Sequence, residues 1–594
     1  MKDFLANFYL GYISFLIAGV VLLAAGSVLP LMSDRQIFGW TLLVLWLTWW
    51  YVLWKFVVDR QIIFSKIELL WTIPLWLVLV SRFPIYFPVY DDFAFHLVIG
   101  GYASDIWQAV NFLPLDFGTY VYPVAQLGYP YLLEIFGIRL SLLINGLLLI
   151  GWYISINLRL KSGEKSASKR MLWDIIFLYI FFVPHLMATH VTFMVDFLTL
   201  ILSLEMFYQL VSARGNRTVG VIVGFLAMII KQSSGVVVMP IFLYFVWQKK
   251  KDIKWRWVVL FLFLIVIYFV VSYVNTGNPI AFLYNSYFKS PLYSLANFKD
   301  TRWGPKGLVE VFLWPVIGQF TLRYGEGIVN TMAKYFFSAF SAVPYCLSWW
   351  FLLRRRKLKY GLFLLGYILW SVLFGYSRYL IVFVGVNWLW LINEEGLDDR
   401  FLRLVLERKR RLLIYLFFIF FCFSSIQTDF GWRPNLRSLT RAQPRGYFFS
   451  QYIAGLKLLG RDRLAEMTDG YKTVFDSNKV MVVRNRGPET LLAYLANIAG
   501  MSVVSAIDMG KYNEIVASDK IDEKIKSVIR KVDDENSFLL VGNKQWLAPD
   551  SIYWTKGRQC TIVDFDPSAW YFQSPTIFGD TLLYKCVKGI GGSR

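Results

Sequence analysis

Long apolar runs recur along this chain from its N-terminus to about residue 428. A helix of about 20 apolar residues crosses the hydrocarbon core of a bilayer, so each such run predicts one membrane span. Hydrophobic residues make up 57% of the 594 residues. We therefore predict an all-α polytopic membrane protein with about 13 transmembrane helices. The predicted spans are 7–32, 37–58, 67–83, 138–158, 171–188, 191–211, 218–230, 234–247, 257–274, 330–353, 360–376, 379–392 and 412–428.

Basic residues give the chain a formal net charge of +21. They cluster in short loops between the predicted spans, at 161–170, 249–256, 354–359 and 400–411. With these spans, all four loops fall on the same side as the N-terminus, and the positive-inside bias makes that side the cytoplasm. The clustering explains the charge without a nucleic-acid partner, which we do not expect. We predict a multi-pass protein of the plasma (inner) membrane with a cytoplasmic N-terminus.

The predicted topology divides the chain into three parts. Residues 1–66 form additional N-terminal spans, and residues 67–428 form the main transmembrane domain. Two large loops of the main domain, 84–137 and 275–329, face the outer side. Residues 429–594 are mixed and polar, which predicts a soluble extracytoplasmic domain.

The C-terminal part has an α/β pattern. Alternating apolar residues predict strands, and two longer stretches predict helices at Pro488–Ala499 and Tyr512–Val532. The predicted strands are Lys479–Val483, Met501–Ile507, Ser537–Val541, Thr561–Phe565 and Thr581–Val587. An outer compartment permits a disulfide between Cys560 and Cys586, and two unpaired buried thiols are the alternative.

Two adjacent carboxylates, Asp91 and Asp92, follow the third predicted span and face the outer side. Many Asp-Asp pairs are only a helix N-cap and a solvated neighbour. Here aromatic residues flank the pair, so we expect partial burial at the membrane interface. Burial and a neighbouring like charge both raise a carboxylate pKa, which suits a general base.

Asp196 lies a turn or so inside a predicted span, close to His185 and His190. A charged side chain within a span normally faces a polar cavity, so Asp196 is a candidate functional residue. Three roles are open: orienting an acceptor, binding a metal together with Asp91, or forming a structural ion pair. The spacing specifies no metal, although a divalent metal is possible, and nothing in the sequence requires a cofactor.

Cations at the predicted outer tips are candidates for binding a phosphate. Lys231 lies between two short spans, Arg378 begins a late span, and Lys289 lies in the outer loop 275–329. Arginine grips phosphate oxygens with its planar fork, although such cations also snorkel to lipid head groups. The same loop carries Trp303 among tyrosines, which suits a sugar platform or an interfacial aromatic belt.

Carboxylates, cations and aromatic residues thus meet at one membrane surface. A phosphate-linked substrate with a long apolar tail fits this combination. A carboxylate would deprotonate an acceptor hydroxyl, and the phosphate would leave with its charge met by Lys or Arg.

This layout resembles the membrane-embedded C-type (GT-C) glycosyltransferases, among them aminoarabinose transferases, protein O-mannosyltransferases and arabinofuranosyltransferases. The stretch Tyr90-Asp91-Asp92-Phe93-Ala94-Phe95-His96 is similar to the acidic motif in their first outer loop. Arg378-Tyr379-Leu380 resembles a tract that opens a late span in many members. The chain departs from the family in having two additional early spans, and it lacks the Trp-Trp-Asp tract of oligosaccharyltransferases.

The resemblance implies a polyprenyl-phosphate sugar donor, a glycan, lipid or protein acceptor, and inversion at the anomeric carbon. Asp91 would be the general base, supported by Asp92, and the donor phosphate would meet Arg378, Lys231 and Lys289. The acceptor cavity would be lined by His96, His185, His190, Asp196, Trp303 and Tyr379. The alternatives are a flippase for a lipid-linked saccharide and a ligase or polymerase of surface polysaccharide.

Overall fold

We analysed a computed structural model of the chain, which describes part of the residues. The described residues are 12–18, 20–21, 41, 43–48, 51, 71–76, 129–162, 167–182, 195–280, 284–292, 295, 305–317, 331–355, 358–373, 375, 377–395, 475, 477–484, 496, 500–506, 509–543, 552–563 and 581–589. At some helix and strand positions only the backbone is described.

A bundle of apolar helices forms the main body of the described chain. Each predicted span between 138 and 392 overlaps one of these helices. An apolar segment favours a helix because the helix satisfies the backbone hydrogen bonds within the segment itself. The helices are α1 (Tyr129–Lys161), α2 (Ala167–Phe182), α3 (Asp196–Val211), α4 (Arg217–Ile230), α5 (Gln232–Gln248), α6 (Trp255–Thr276), α7 (Asn285–Phe288), α8 (Leu308–Ile317), α9 (Thr331–Arg355), α10 (Leu358–Leu373) and α11 (Ser377–Glu395).

Two stretches of the described chain are long and apolar enough to cross a membrane: Leu143–Lys161 within α1, and α6. Four shorter apolar helical stretches, in α4, α5, α10 and α11, accompany them. The first three predicted spans are described only in fragments, and span 412–428 lies outside the described residues. The total of about 13 spans therefore stays a prediction.

Helices α4 and α5 form a hairpin in which one residue, Lys231, is the entire connection. Asn216 caps the start of α4. Its side chain accepts hydrogen bonds from the backbone N–H groups of Thr218 and Val219 at 3.1 and 3.2 Å. Gly224 allows close packing, since a Cβ there would lie 2.4 Å from the Phe242 ring. The sequence predicted this pair of short helices, and the structure shows it as a tight antiparallel hairpin.

Two of the basic loops, 249–256 and 354–359, lie together at one end of the bundle. Lys359 lies 4.7 Å from the ring centroid of Trp390, and that ring lies 4.9 Å from Phe245 near the end of α5. The backbone N–H of Lys254 donates to the hydroxyl of Thr218 at 2.8 Å. These contacts place the loops after α5 and α9 at the same end, here named the basic end, as the sequence predicted.

The C-terminal domain contacts the opposite end of the bundle. The backbone N–H of Asp522 donates to the carbonyl oxygen of Asn275, the penultimate residue of α6, at 3.0 Å. Lys520 donates from its Nζ to the Phe288 carbonyl at 3.1 Å. We name this the domain end. The predicted topology, in which basic loops and C-terminal domain lie on opposite sides of the membrane, stays a prediction.

A five-stranded mixed sheet forms the C-terminal domain, in the order β2-β1-β3-β5-β4. Strands β1, β2 and β3 are parallel, whereas β5 pairs antiparallel with both β3 and β4. Helices α12 and α13 connect β2 to β3. The bounds are β1 (Val480–Arg484), β2 (Ser502–Ser505), α12 (Met509–Ala517), α13 (Glu523–Asp534), β3 (Ser537–Asn543), β4 (Arg558–Ile562) and β5 (Thr581–Lys588).

Both faces of this sheet are buried at its strands β1 and β3. Val482, Leu540 and Phe538 belong to an apolar cluster with residues of α12 and α13. Met481 and Leu539 point the other way, because side chains alternate along a strand, and they belong to the cluster that contains the helix bundle. The sheet is therefore packed between the helices of its own domain and the remainder of the protein.

Two sequence predictions for this domain were wrong in detail. The predicted helix Tyr512–Val532 is interrupted, because the chain turns at 518–522, where Ser518 accepts from the Lys520 N–H and Asp522 binds Asn275. Strand β4 begins at Arg558, three residues before the predicted start at Thr561. The guanidinium of Arg558 donates to the Val532 and Glu535 carbonyls at 3.2 and 2.8 Å. These hydrogen bonds fix the start of β4 at Arg558.

Cys560 and Cys586 face each other across β4 and β5 and form a disulfide bond. The bond joins β4 covalently to the sheet, at a strand that pairs only with β5 among the described residues. It confirms the pairing that the sequence favoured. Predicted helix Pro488–Ala499 lies almost entirely outside the described residues, with only Ala496 described as helical.

Candidate functional site

A buried ion pair joins Asp196 and Lys231 near the domain end of the bundle. The Lys231 Nζ donates to Oδ1 of Asp196, and the two side chains are 11% and 3% exposed. The sequence placed both residues near the outer ends of spans but did not pair them with each other. Of the three roles open for Asp196, the ion pair is therefore the one that the structure shows.

The ends of three helices bring the pair together. Asp196 is the first residue of α3, whereas the predicted span begins near Val191, outside the described residues. A carboxylate at a helix N-terminus interacts favourably with the helix dipole. Lys231 is the single residue between α4 and α5, and its backbone is extended, with φ −143° and ψ 91°. The position of the lysine therefore follows from the hairpin geometry.

Helix α4 is too short to cross a membrane by itself. Helix α4 has 14 residues, which give a length of about 21 Å, whereas the hydrocarbon core is about 30 Å thick. A helix of this length that begins at one membrane surface ends about two-thirds of the way across the hydrocarbon core. At such a depth a charge is costly unless it is paired or lines a polar cavity, and Lys231 and Asp196 are paired.

Helix α11 brings Arg378 and Tyr379 to the same end. These residues lie in its first turn, and the structure describes their backbone only. Helices α3 and α11 pack side by side, since a Cβ at Gly385 would lie 3.3 Å from Leu200. Asp196 begins α3 and Arg378 begins α11, so the backbones of both residues lie near the domain end.

Lys289 is exposed at the end of the short helix α7, and no ion pair of Lys289 is found among the described residues. Its predicted role at the donor phosphate stays a prediction. The other candidates lie outside the described residues, so the structure does not test them. They are Asp91, Asp92, His96, His185, His190 and Trp303.

A second buried charge network, which the sequence analysis missed, lies near the basic end. Arg159 binds both carboxylate oxygens of Glu205, which also accept from Trp152 at 2.9 Å and Gln209 at 2.6 Å. Arg159 also lies 4.5 Å from the Tyr208 ring centroid. Glu205 within a predicted span was the signal that could have indicated it. Because every Glu205 oxygen is satisfied within the protein, this network fits a structural role.

Lys161 and Asp174 form a third buried pair at the basic end, with Nζ and Oδ1 2.6 Å apart. Asn157 donates to the same carboxylate oxygen at 2.8 Å. This pair joins the end of α1 to the middle of α2. Lys161 belongs to the basic loop 161–170 and can nevertheless be buried, because its charge is paired with that of Asp174.

The described residues contain no group of three or more His, Cys, Asp or Glu placed to hold a metal ion. The metal alternative combined Asp196 with Asp91 and the histidines. Because Asp91 and all three histidines lie outside the described residues, that alternative stays a prediction.

In the C-terminal domain, Tyr512 and Asp533 form a hydrogen-bonded pair. The Tyr512 ring is stacked on Tyr553 with centroids 3.5 Å apart. Burial raises the pKa of Tyr512 above its ordinary value, and the hydrogen bond to Asp533 raises it further. The phenol is therefore held neutral as a donor that joins α12 to α13, which indicates a structural role.

No family model matches the chain, and no curated protein matches it in sequence. Among solved structures, the chain is similar to ArnT from Cupriavidus metallidurans bound to undecaprenyl phosphate, with 14% sequence identity and a TM-score of 0.44. The similarity covers 89% of this chain and 99% of that chain. A likeness of this degree carries no family assignment, so the assignment of function rests on this chain's own residues and geometry.

Proposed function

We propose that the protein is an inverting glycosyltransferase of the GT-C type in a plasma (inner) membrane. It moves a sugar from a polyprenyl-phosphate donor to a glycan, lipid or protein acceptor on the extracytoplasmic face. The observation that carries this proposal is the buried Asp196–Lys231 pair near the domain end of the bundle. Buried pairs add little net stability, and ionisable groups at membrane depth usually mark a functional site.

The depth of the pair suits a donor anchored in the bilayer. A polyprenyl tail stays in the hydrocarbon layer, so its phosphate reaches a cation only near the membrane surface. Lys231 is the more exposed member of the pair and can turn toward such a phosphate. Arg378, whose backbone lies at the same end, supplies a second cation.

The proposed reaction is a single displacement. Asp91 takes the proton from an acceptor hydroxyl, and that oxygen attacks the anomeric carbon of the donor sugar. The bond from this carbon to the phosphate oxygen breaks, the configuration inverts, and the polyprenyl phosphate leaves as an anion. Lys231 and Arg378 stabilise the developing negative charge. Asp92 supports Asp91, while Asp196 holds Lys231 in place between turnovers.

A transfer assay with purified protein in lipid nanodiscs tests this proposal. The protein is given a radiolabelled polyprenyl-phosphate monosaccharide and mixed acceptors. We expect Asp91→Asn to reduce transfer by about 10²–10⁴-fold while donor binding persists, because only the proton acceptor is lost. Asp252→Asn is the matched control, since Asp252 is exposed at the basic end and should leave transfer unchanged.

Three results would contradict the proposal. Full transfer activity in the Asp91→Asn variant would exclude Asp91 as the general base. Movement of the lipid-linked sugar between leaflets without transfer would favour the flippase. Transfer from oligosaccharide donors but from no monosaccharide donor would favour the ligase or polymerase.

A further inference from the structure

The loop after α6 exposes a short aromatic segment, residues 284–289, which we name the tyrosine finger. Tyr284 is 63% exposed and Tyr287 is 81% exposed. Both lie on or next to the four-residue helix α7, and Lys289 follows them on the surface. Two neighbouring tyrosines with so little contact to their own protein indicate a surface that meets another phase or partner.

Rigid backbone geometry holds the finger in position. Tyr284 and Lys289 both have φ 53°, in the left-handed region that residues other than glycine rarely adopt. They flank α7 on both sides and so fix the direction in which it projects. Such uncommon angles persist only where the surrounding structure enforces them.

A buried hydrogen-bond knot supplies that enforcement. Asn285 accepts from the Ser290 N–H and donates to the Ser290 carbonyl, both at 2.9 Å. Asn278 donates to Asn285 at 3.2 Å, and Ser290 donates to the Thr276 carbonyl at the end of α6. All four side chains are buried. The base of the finger is therefore preorganised, whereas its tyrosines remain outside.

The finger continues the lipid-facing surface of α6. Only 24% of the apolar window of α6 is buried, and Val270, Tyr273 and Val274 are more than half exposed near its domain end. The Tyr273 ring lies 6.5 Å from the Phe288 ring, which lies 5.2 Å from Tyr287. An unbroken apolar and aromatic face thus runs from the membrane-spanning helix to the finger.

We propose that the tyrosine finger inserts into the lipid head-group layer at the domain end of the bundle. Tyrosine is enriched at this depth because its ring is apolar and its hydroxyl is polar. Lys289 reaches the lipid phosphates and not the donor phosphate for which the sequence made it a candidate. The bilayer is the occupant because the finger extends the exposed apolar surface of α6, a helix long and apolar enough to cross a membrane.

The contact also couples the C-terminal domain to the membrane. Lys520 of that domain binds the carbonyl of Phe288 in the finger, and the Asp522 N–H binds Asn275 just before the knot. Asp519 and Asp522 flank Lys520 and offset its charge, so the tyrosines provide most of the membrane contact. The finger thus holds the domain at a fixed height above the bilayer.

Fluorescence quenching by spin-labelled lipid tests the insertion. Ser286→Cys places one cysteine in the finger and keeps both tyrosines, in a chain whose Cys346 and Cys422 are serine and whose disulfide is intact. The full-length protein carries an environment-sensitive dye at this cysteine in nanodiscs of phosphatidylcholine and phosphatidylglycerol. We expect phospholipids with a doxyl group near the head group to quench most of its fluorescence, and aqueous iodide to quench little.

The matched control is Asp534→Cys, an exposed position at the far end of α13 from the contact with Asn275. Its dye should respond to iodide and not to the doxyl lipids. Adding Tyr284→Ser and Tyr287→Ser to the finger variant should shift its response toward that of the control. If labelling at 286 prevents folding, Tyr287→Cys provides a second attachment site with the same expectation.

An iodide response at 286 equal to that at 534 would overturn the proposal. The finger would then face water, where its tyrosines would be free to stack on a soluble glycan. A lipid response that persists without the two tyrosines would equally overturn their role. Neither result depends on whether the protein transfers sugars, so the insertion and the proposed enzyme activity are tested separately.

Discussion

Asp196 and Lys231 lie where either charge alone would be unfavourable. Each side chain is almost fully buried, and the two neutralise each other within the bundle. Removing one partner from such a pair leaves an uncompensated buried charge, whereas removing both charges can be nearly neutral. Stability and function can therefore be separated at this pair by comparing single and double variants.

We expect Lys231→Met to destabilise the protein by about 3–5 kcal/mol, because Asp196 would then be buried without a partner. Adding Asp196→Asn should restore most of the lost stability but not sugar transfer, because the cation for the phosphate is still missing. Thermal unfolding in detergent and the transfer assay measure the two effects. A double variant that regains activity would exclude Lys231 from donor binding.

The Arg159–Glu205 pair at the basic end provides the matched comparison. Arg159→Met should lower stability to a similar degree, and the further change Glu205→Gln should recover part of it. The double variant should keep transfer activity, because this pair is far from the domain end. Loss of transfer in a stable Arg159/Glu205 double variant would show that the assay reports general damage to the bundle.

Single residues were predictable from the sequence only in part. A charge inside an apolar run identified Asp196, and the gap between two short runs identified Lys231. Their pairing was not predictable, because it depends on the hairpin register and on where α3 begins. Glu205 carried the same signal but has no histidine near it in the sequence to suggest chemistry.

Among the helices, close packing depends on glycine at particular positions. A Cβ at Gly366 in α10 would lie 2.4 Å from the Phe383 ring and 2.9 Å from the Val237 carbonyl oxygen. A Cβ at Gly361 in the same helix would have its nearest neighbour at 3.9 Å. The two positions lie in the same helix and differ in the room available for a methyl group, so they form a matched pair for comparison.

We expect Gly366→Ala to destabilise the bundle by about 1–3 kcal/mol, since the helices must separate to accommodate the methyl group. Gly361→Ala should cause no loss, because its methyl group meets only ordinary contact. Thermal unfolding in detergent measures both variants. Equal stability of the two would show that α10 does not pack as closely on α5 and α11 as the structure indicates.

The disulfide is the feature of the C-terminal sheet that responds to redox conditions. Cys560→Ser with Cys586→Ser should lower the stability of the domain by about 2–4 kcal/mol, because the unfolded chain regains conformational freedom. Cysteine-specific mass tagging should modify residues 560 and 586 only after reduction. Cys346→Ser is the control, as Cys346 is a free, exposed cysteine. Tagging without reductant would show that the bond is absent in the membrane protein.

Elements of regular pattern were predicted well. Apolar runs located helices α1–α6 and α9–α11, and alternation located the strands, because both patterns are local. The break between α12 and α13 was missed because it coincides with the contact to Asn275, which is distant in sequence. The start of β4 was missed because Arg558 is fixed by carbonyl groups of α13 and not by its neighbours.

At the scale of the whole molecule, the described basic loops after α5 and α9 lie at the opposite end of the bundle from the C-terminal domain. This arrangement predicts which positions are reachable from each side of the membrane. In intact cells, a membrane-impermeant thiol reagent should label Asp534→Cys but not Lys251→Cys, in a background without Cys346 and Cys422. Permeabilised cells should label both. The opposite pattern would place the Asp196–Lys231 pair toward the cytoplasm and exclude an extracytoplasmic reaction.

The domain division at 66 and 428 stays a prediction, because both boundaries fall outside the described residues. What the sequence could not supply is the contact between the C-terminal domain and the bundle. That contact joins backbone groups of Asn275 and Asp522, and backbone groups carry no sequence signal.

The one-residue connection between α4 and α5 also restricts how this protein can change. A longer loop absorbs an inserted residue, but here an insertion in α4 would rotate Lys231 by about 100° around the helix axis and turn it from Asp196. Only changes of nearly whole turns keep the two residues facing, and each turn moves the lysine by about 5.4 Å. A bilayer of different thickness must therefore be accommodated elsewhere, for example by α1 with its 33 residues.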